Sequence, residues 1–444
     1  SITGKSSWAR YFDQMHAAAI YQLDGSEIQR EELLNKLHQS DRSLRQRSAA
    51  ALTSGLRTIL PSSTFVFNTL LADKAIDDSL RQLPTWVSNR NLDNQVDDAI
   101  VEALVAAVVS RYDIVERYYQ LKRRLLAVDE LFDYDRYAPL ADGNKRYTWD
   151  DAVQTVLSAY QGFSSKLSEA GSHFFENAWI DAPVQPGKRG GAFCHPSVPS
   201  HHPYLLLNYQ GQPRDVMTLA HELGHGVHAL LSAPKGYLQF HTPLTTAETA
   251  SVFGEMLVFR NLMEKENNRY EQLAMLVRRI EDTFATVFRQ VAMNRFEQAI
   301  HEARRNDGEL SKERFSELWI VTQRTMFGDS VTMTEDYGTW WSYIPHFIHT
   351  PGYVYAYSFG ELLALALYAR YEEVGSSYAD LYVEMLKAGG SDWPHRIMKP
   401  LSVDLNDPAF WDHGLRMIEQ MIEIIDVLSV PVTFIQWPCL VVSG

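Results

Sequence analysis

The sequence predicts a mainly α-helical chain with one small sheet, and three observations carry that expectation. Apolar residues recur at helical spacing almost without a break from Trp8 to about Tyr137, and again beyond Glu255 as far as Val427. Between them, Pro183 to Tyr209 lacks that period and reads as turns and short strands. At 444 residues the chain can bury a large core and divide into two or three lobes.

Taken in order, Ser40-Asp41 precedes an Arg- and Ala-rich helical run from Arg42 to Ile59, which Pro61 is expected to stop. Val87 to Leu92 reads as a loop, followed by helical patterns over Val96–Val109 and Tyr112–Phe132. Arg81, Arg90 and Arg123 could grip a substrate carboxylate, but ion pairs on solvated helix faces are the favoured reading. A turn at Asp142-Gly143-Asn144 marks a soft boundary, and Thr148 is the expected cap of the next helix. Residues 1–145 are therefore expected to form an N-terminal helical lobe, residues 146–430 a second domain, and residues 431–444 an irregular apolar tail. Two helices lead to about Trp179. Gly187 to Cys194 then looks like a turn feeding a short strand, and Tyr204–Tyr209 suits a buried strand closed by Gln210-Gly211-Gln212-Pro213. Cys194 has nothing beside it to make a nucleophile, so packing is its expected role. A long helical pattern from Leu273 to Arg305 follows, then a restart at Gly308-Glu309-Leu310-Ser311. His301 and the pair Arg304-Arg305 show no spacing that suggests chemistry. Gly389-Gly390 marks a turn, and Phe410-Trp411 opens the closing helix.

Composition excludes some classes of partner. A net charge of −14 argues against nucleic acid or an anionic membrane, both of which select basic patches. Two cysteines far apart, Cys194 and Cys439, are no disulfide framework and point to a reducing compartment. The longest apolar run, Ala99 to Val109, is interrupted by Glu102 and too short for a bilayer. The polar start at Ser1 does not read as a signal peptide, so a soluble cytoplasmic protein is expected.

The chemistry concentrates at Leu219-Ala220-His221-Glu222-Leu223-Gly224-His225. Residues four apart share a helix face, so His221 and His225 can present imidazoles to one ion, and Glu222 lies where it could polarise a metal-bound water. Leu219, Leu223, Val227 and Leu230 give the apolar stripe that would hold the helix still. A catalytic site of this kind needs a third ligand. The version that takes it from a histidine six residues past the second, with a glycine between, is excluded, because those positions hold His228 and Leu231. Glu248 and Glu255 remain, seven apart and hence on one helix face. Glu248 is the better ligand, and Glu255 is better placed to orient a ligand histidine through its far nitrogen.

The run from His221 to Glu255, with Arg214-Asp215-Val216-Met217-Thr218 and Pro243-Leu244-Thr245 beside it, resembles the oligoendopeptidase F branch of the thimet-oligopeptidase-like zinc peptidases. The resemblance implies two helical lobes around a deep cleft, with a small β-sheet next to the zinc-binding helix. It implies one Zn2+ per chain on His221, His225 and Glu248, with Glu222 as general base. It makes residues 146–430 the catalytic domain, and it implies that the sheet edge at Ala192 and Phe193 pairs with an extended substrate backbone. Relatives carry further N-terminal helices, so the chain is expected to be a shortened form. A second aromatic stretch runs from Tyr343 to Gly360. By resemblance, His346 and Tyr353 face substrate and oxyanion, Tyr357 or Tyr355 is the next donor, and His349 is a further contact. On a helix Tyr353 and Tyr357 share a face that Tyr355 does not. Gly352 stands where relatives often have an aromatic residue, and it is expected to loosen that loop. The activity implied is internal cleavage of short unstructured peptides. The rivals are a related zinc carboxypeptidase and a zinc-containing peptide-binding protein without turnover.

Overall fold

A computed structural model describes residues 3–140 and 145–429. The expected turn at Asp142–Asn144, Cys439 and the tail 431–444 lie outside the described residues. The chain folds as two helical lobes with small sheets. One lobe is organised on the 39-residue helix Arg42–Leu80. Against it pack the helices Lys5–Ala18, Phe288–Asp307 and Lys312–Phe327 and the 3-10 segment Glu335–Tyr343. The other lobe is organised on helices Pro213–Ser232 and Thr249–Lys265, flanked by Trp149–Phe163, Ser165–Glu176 and Ser377–Ala388. Helix Tyr355–Val374 joins the two, packing on Thr249–Lys265, on Phe288–Asp307 and on the closing helix Pro408–Ser429. Its residues from Phe359 to Leu367 are all buried, which suits a helix surrounded on every side. Among the described residues, no helix is long and apolar enough to cross a membrane.

Several local expectations are corrected, each by packing. Asp41 caps the first long helix as expected, its carboxylate accepting from the N–H groups of Ser43 and Leu44. Pro61 does not stop that helix. Its ring lies on the exposed face, while Leu56 and Leu60 before it and Val66, Phe67 and Leu70 after it are buried on one core, so continued burial outweighs the missing donor. Ser88–Asp93 is a short helix rather than a loop, and Tyr112–Leu125 ends before Phe132. The pattern from Leu273 to Arg305 is two helices, Arg269–Thr286 and Phe288–Asp307, broken at Val287. The buried hydroxyl of Ser358 meets the break: its Oγ lies 3.1 Å from the Thr286 carbonyl and 2.9 Å from that of Val287. It offers one hydroxyl proton to both.

The sheets are short. Strands β1 (Tyr21–Leu23) and β2 (Ser26–Ile28) form a hairpin whose turn, Asp24-Gly25, has both residues at positive φ. β3 (Ile180–Pro183), β4 (Phe193–His195) and β5 (Tyr204–Tyr209) form the second sheet in the order β3-β5-β4. β5 is central, parallel to β3 and antiparallel to β4, with Phe193 opposite Leu206 and His195 opposite Tyr204. Its Leu205 and Leu207 are buried against the lobe, and three residues separate its end at Tyr209 from helix Pro213–Ser232. β4 is left as an edge strand beside that helix.

Replacing Ser358 by Ala takes the side-chain donor from the Thr286 carbonyl, while the Val287 carbonyl keeps the Val291 N–H. We expect urea denaturation to show a loss of about 1–3 kcal/mol; unchanged stability would show that the Ser358 hydroxyl does not hold the break.

Candidate metal centre

Helix Pro213–Ser232 starts where its sequence says it should. Asp215 accepts from the backbone N–H of Gln210 at 2.8 Å and of Gln212 at 3.0 Å, and Pro213 occupies the first turn, where a missing N–H costs nothing. Leu219, Ala220, Leu223 and Val227 are buried. His221 and His225 emerge on a partly open face. Gly224 decides what lies behind them: a Cβ there would stand 2.5 Å from the Ala250 carbonyl oxygen, so the two long helices of this lobe touch backbone to backbone. That crossing brings Glu248, at the start of helix Thr249–Lys265, to the histidines. On the other side Gly360 makes room, since a Cβ there would lie 2.8 Å from Glu248 Cβ.

The three expected ligands form a triangle. His221 Nε2 and His225 Nε2 are 3.2 Å apart, and each lies 3.4 Å from Glu248 Oε2. A tetrahedral ion with bonds of about 2.05 Å to nitrogen and oxygen has ligand–ligand edges of about 3.3 Å. The donor set therefore fits a four-coordinate divalent metal with one corner free. It is the one such group of histidine, cysteine and acidic residues among the described residues.

The ligands are held from behind. His221 Nδ1 meets Glu255 Oε1 at 2.5 Å, so its proton sits on that side and Nε2 presents a lone pair to the triangle. Glu255 Oε2 accepts from Arg279 at 2.7 Å, and Arg279 donates to Glu361 at 2.8 Å. Ser251 donates to Glu248 Oε2 at 2.7 Å. Burial alone would lower the His221 imidazole, but the hydrogen bond and charge of Glu255, with Glu248 and Glu222, raise it to about 9. Burial would raise Glu248, but the hydrogen bond from His225 and the two imidazoles hold it down to about 2. A site this negative attracts a cation in place of those protons.

Glu222 is buried at 7 % exposure, and desolvation raises its carboxyl against the pull of His221 and His225. The backbone N–H of Cys194 faces it, which ties edge strand β4 to the motif. The Cys194 thiol is pushed up to about 12 by burial, then by the charge of Glu222, so it packs rather than attacks. Ala192 is half-buried and Phe193 exposed on that edge.

The segment His346–Tyr357 delivers its aromatic groups unequally. Tyr353 and Tyr357 pack edge to face with ring centres 5.0 Å apart, and His346 Nε2 lies 3.3 Å from the Tyr357 hydroxyl. Burial raises the Tyr353 phenol, followed by Tyr357, and the Glu248 carboxylate acts on it too. Tyr355, the first residue of its helix, faces the core. It is fully buried, and its hydroxyl accepts from Asn94 at 2.8 Å, so its expected contact with substrate is corrected to a core role. His349 pairs with Asp13 at 2.8 Å and is not brought to the triangle's histidines or to Tyr357. Gly352 does not loosen the loop: its φ is 74°, and its N–H is bonded to buried Glu297. Arg81 and Arg90 pair with Asp77 and Asp93. Arg279, Glu361 and Asn94 were not anticipated. Asn94 links both sides of the site, since its carbonyl also accepts from Thr245, three residues before Glu248.

Two imidazoles of one helix and a carboxylate at the start of the next form a donor set that could hold a divalent metal. The chain belongs to peptidase family M3, whose sequence pattern matches residues 36–417. It is 28% identical over 347 residues to oligopeptidase PepF of Bacillus subtilis, covering 76% of this chain and 51% of that protein. An oligoendopeptidase F homolog of Borreliella burgdorferi is 28% identical over 347 residues, covering 77% of this chain and 58% of that protein. The crystal structure of oligoendopeptidase-F from Enterococcus faecium shares the fold, with a TM-score of 0.76 at 21% identity over 96% of this chain and 72% of that one. The chain spans about half the length of the curated relatives it matches.

The Gly360→Ala substitution should push Glu248 out of the triangle without touching a ligand. Competition with a chromogenic chelator is expected to show metal affinity lower by roughly 10- to 100-fold at unchanged helix content. Wild-type affinity would show that Glu248 has slack the packing does not reveal.

Proposed function

We propose that the chain is a zinc-dependent endopeptidase that cuts internal bonds of short, unstructured peptides, with one zinc held by His221, His225 and Glu248. The ligand triangle carries this reading: its edges of 3.2 and 3.4 Å suit zinc, and the two-nitrogen, one-carboxylate set leaves a corner free for catalysis. When bound, zinc would acidify a water and polarise the scissile carbonyl.

The remaining work falls to the chain's own residues. Glu222 takes the proton as the water oxygen bonds to the carbonyl carbon, and returns it to the amide nitrogen as the C–N bond breaks. Its desolvation, which raises the carboxyl, brings its basicity nearer to that task. Tyr353 donates a hydrogen bond to the developing oxyanion, with Tyr357 packed on its ring and His346 bonded to Tyr357. Glu255 keeps the His221 ring turned. The edge at Ala192 and Phe193 offers backbone pairing to an extended substrate, which would position many sequences without reading their side chains.

The Glu222→Gln protein tests the mechanism. It should keep one zinc per chain by elemental analysis while kcat falls at least roughly a hundredfold. Full cleavage by that variant would remove Glu222 from the chemistry.

A further inference from the structure

Glu297, on helix Phe288–Asp307, is a carboxyl the proposed mechanism does not use. Its side chain is 1% exposed and, among the described residues, no Lys or Arg forms an ion pair with it. Its surroundings are apolar: Phe67, Leu70, Ile300, Phe347 and Ile348 line the spot, with a residual void of about 10 Å³, at the lower limit for one water. The nearest titratable group is His301 on the same helix, whose Nε2 lies 3.9 Å away and whose ring stacks on Trp86. Arg90, Lys74 and Lys5 act on it from the other elements around it. Burial pushes the carboxyl up to about 8, so at neutral pH it is mostly the neutral acid. Burying such a group costs free energy unless a hydrogen bond offsets it.

That bond goes to one place. Glu297 Oε1 accepts from the backbone N–H of Gly352 at 2.6 Å, and Oε2 has no partner among the described residues. Gly352 precedes Tyr353 directly. Its φ of 74° is one that side chains rarely adopt, and a Cβ there would come to 3.2 Å from Val87 and 3.3 Å from Arg90. Arg90 Nε in turn reaches the Pro351 carbonyl at 3.4 Å. The loop is thus tied to the first lobe's core at the residue before the phenol.

We propose that Glu297 is a positioning residue: its buried carboxyl anchors the Gly352 amide and thereby sets the Tyr353 hydroxyl over the metal centre. This rests on the reading of Tyr353 as oxyanion donor. It gives a role to a carboxyl buried on this helix without an ion pair to Lys or Arg among the described residues.

The test is steady-state cleavage of a short internally quenched fluorogenic peptide by the zinc-loaded chain. Glu297→Leu is expected to lower kcat roughly 10- to 100-fold while KM and bound zinc hold, because the donor is misplaced and not removed. Glu297→Gln, which keeps an acceptor for the Gly352 N–H, should recover most of the rate. In a Tyr353→Phe background, Glu297→Leu should add less than about a twofold further loss, since nothing remains to be positioned. Should Glu297→Leu fail to fold, Gly352→Ala displaces the same amide with the core intact, and the same loss and the same lack of additivity are expected. Losses that multiply in the double variant, or a wild-type kcat for Glu297→Leu, overturn the positioning role alone. A wild-type kcat for Tyr353→Phe overturns the oxyanion reading and this proposal with it.

Discussion

The contact between His221 Nδ1 and Glu255 governs the rest of the site. It fixes which imidazole nitrogen is free, and a ring that turned over would present a proton where a lone pair is needed. A carboxylate can stand there only because Arg279 neutralises its far side and is itself shared with Glu361. Burial raises the Glu361 carboxyl while Arg279 pulls it down, so the interior holds the chain of charges in near balance. Removing one member would strand a buried charge, which is why this arrangement acts as a unit.

Shape does as much as charge. The triangle's two histidines come from one helix, and its glutamate from the start of a second that meets the first at Gly224 and leaves room for it only because residue 360 has no side chain. Tyr160 adds a clamp, its hydroxyl donating to the Ala220 carbonyl at 2.9 Å just before His221, in space that Gly254 leaves open. The triangle is therefore set by backbone contacts, which move less than side chains, and a metal finds its ligands already placed.

What the sequence revealed divides along a physical line. Spacing within one helix is covalent geometry, so the pairing of His221 with His225 could be read directly; Tyr353 meets Tyr357 from two residues before helix Tyr355–Val374 begins. Glu248 and Glu255 were also legible, since seven residues return a helix to nearly the same face. Contacts between distant segments were not: Arg279 reaches Glu361 across 82 residues, and Asn94 reaches Tyr355 across 261. The contact of Ser358, from another helix, with the break at Val287 was hidden for the same reason. Pro61 misled in the opposite sense. Its local preference is to end a helix, and burial on both sides of it prevails. Ser251 carried a signal that could have been used, three residues after Glu248 and hence beside it.

A preformed triangle of this kind would make the chain a metal-dependent enzyme for peptides. The most direct test is mass spectrometry of a mixed peptide library after incubation with the chain, with and without a chelator, and after zinc is restored. Internal cuts confined to short peptides, lost on chelation and regained with zinc, are the expected result. Cuts that persist without metal, or removal of only the last residue from each peptide, would contradict it.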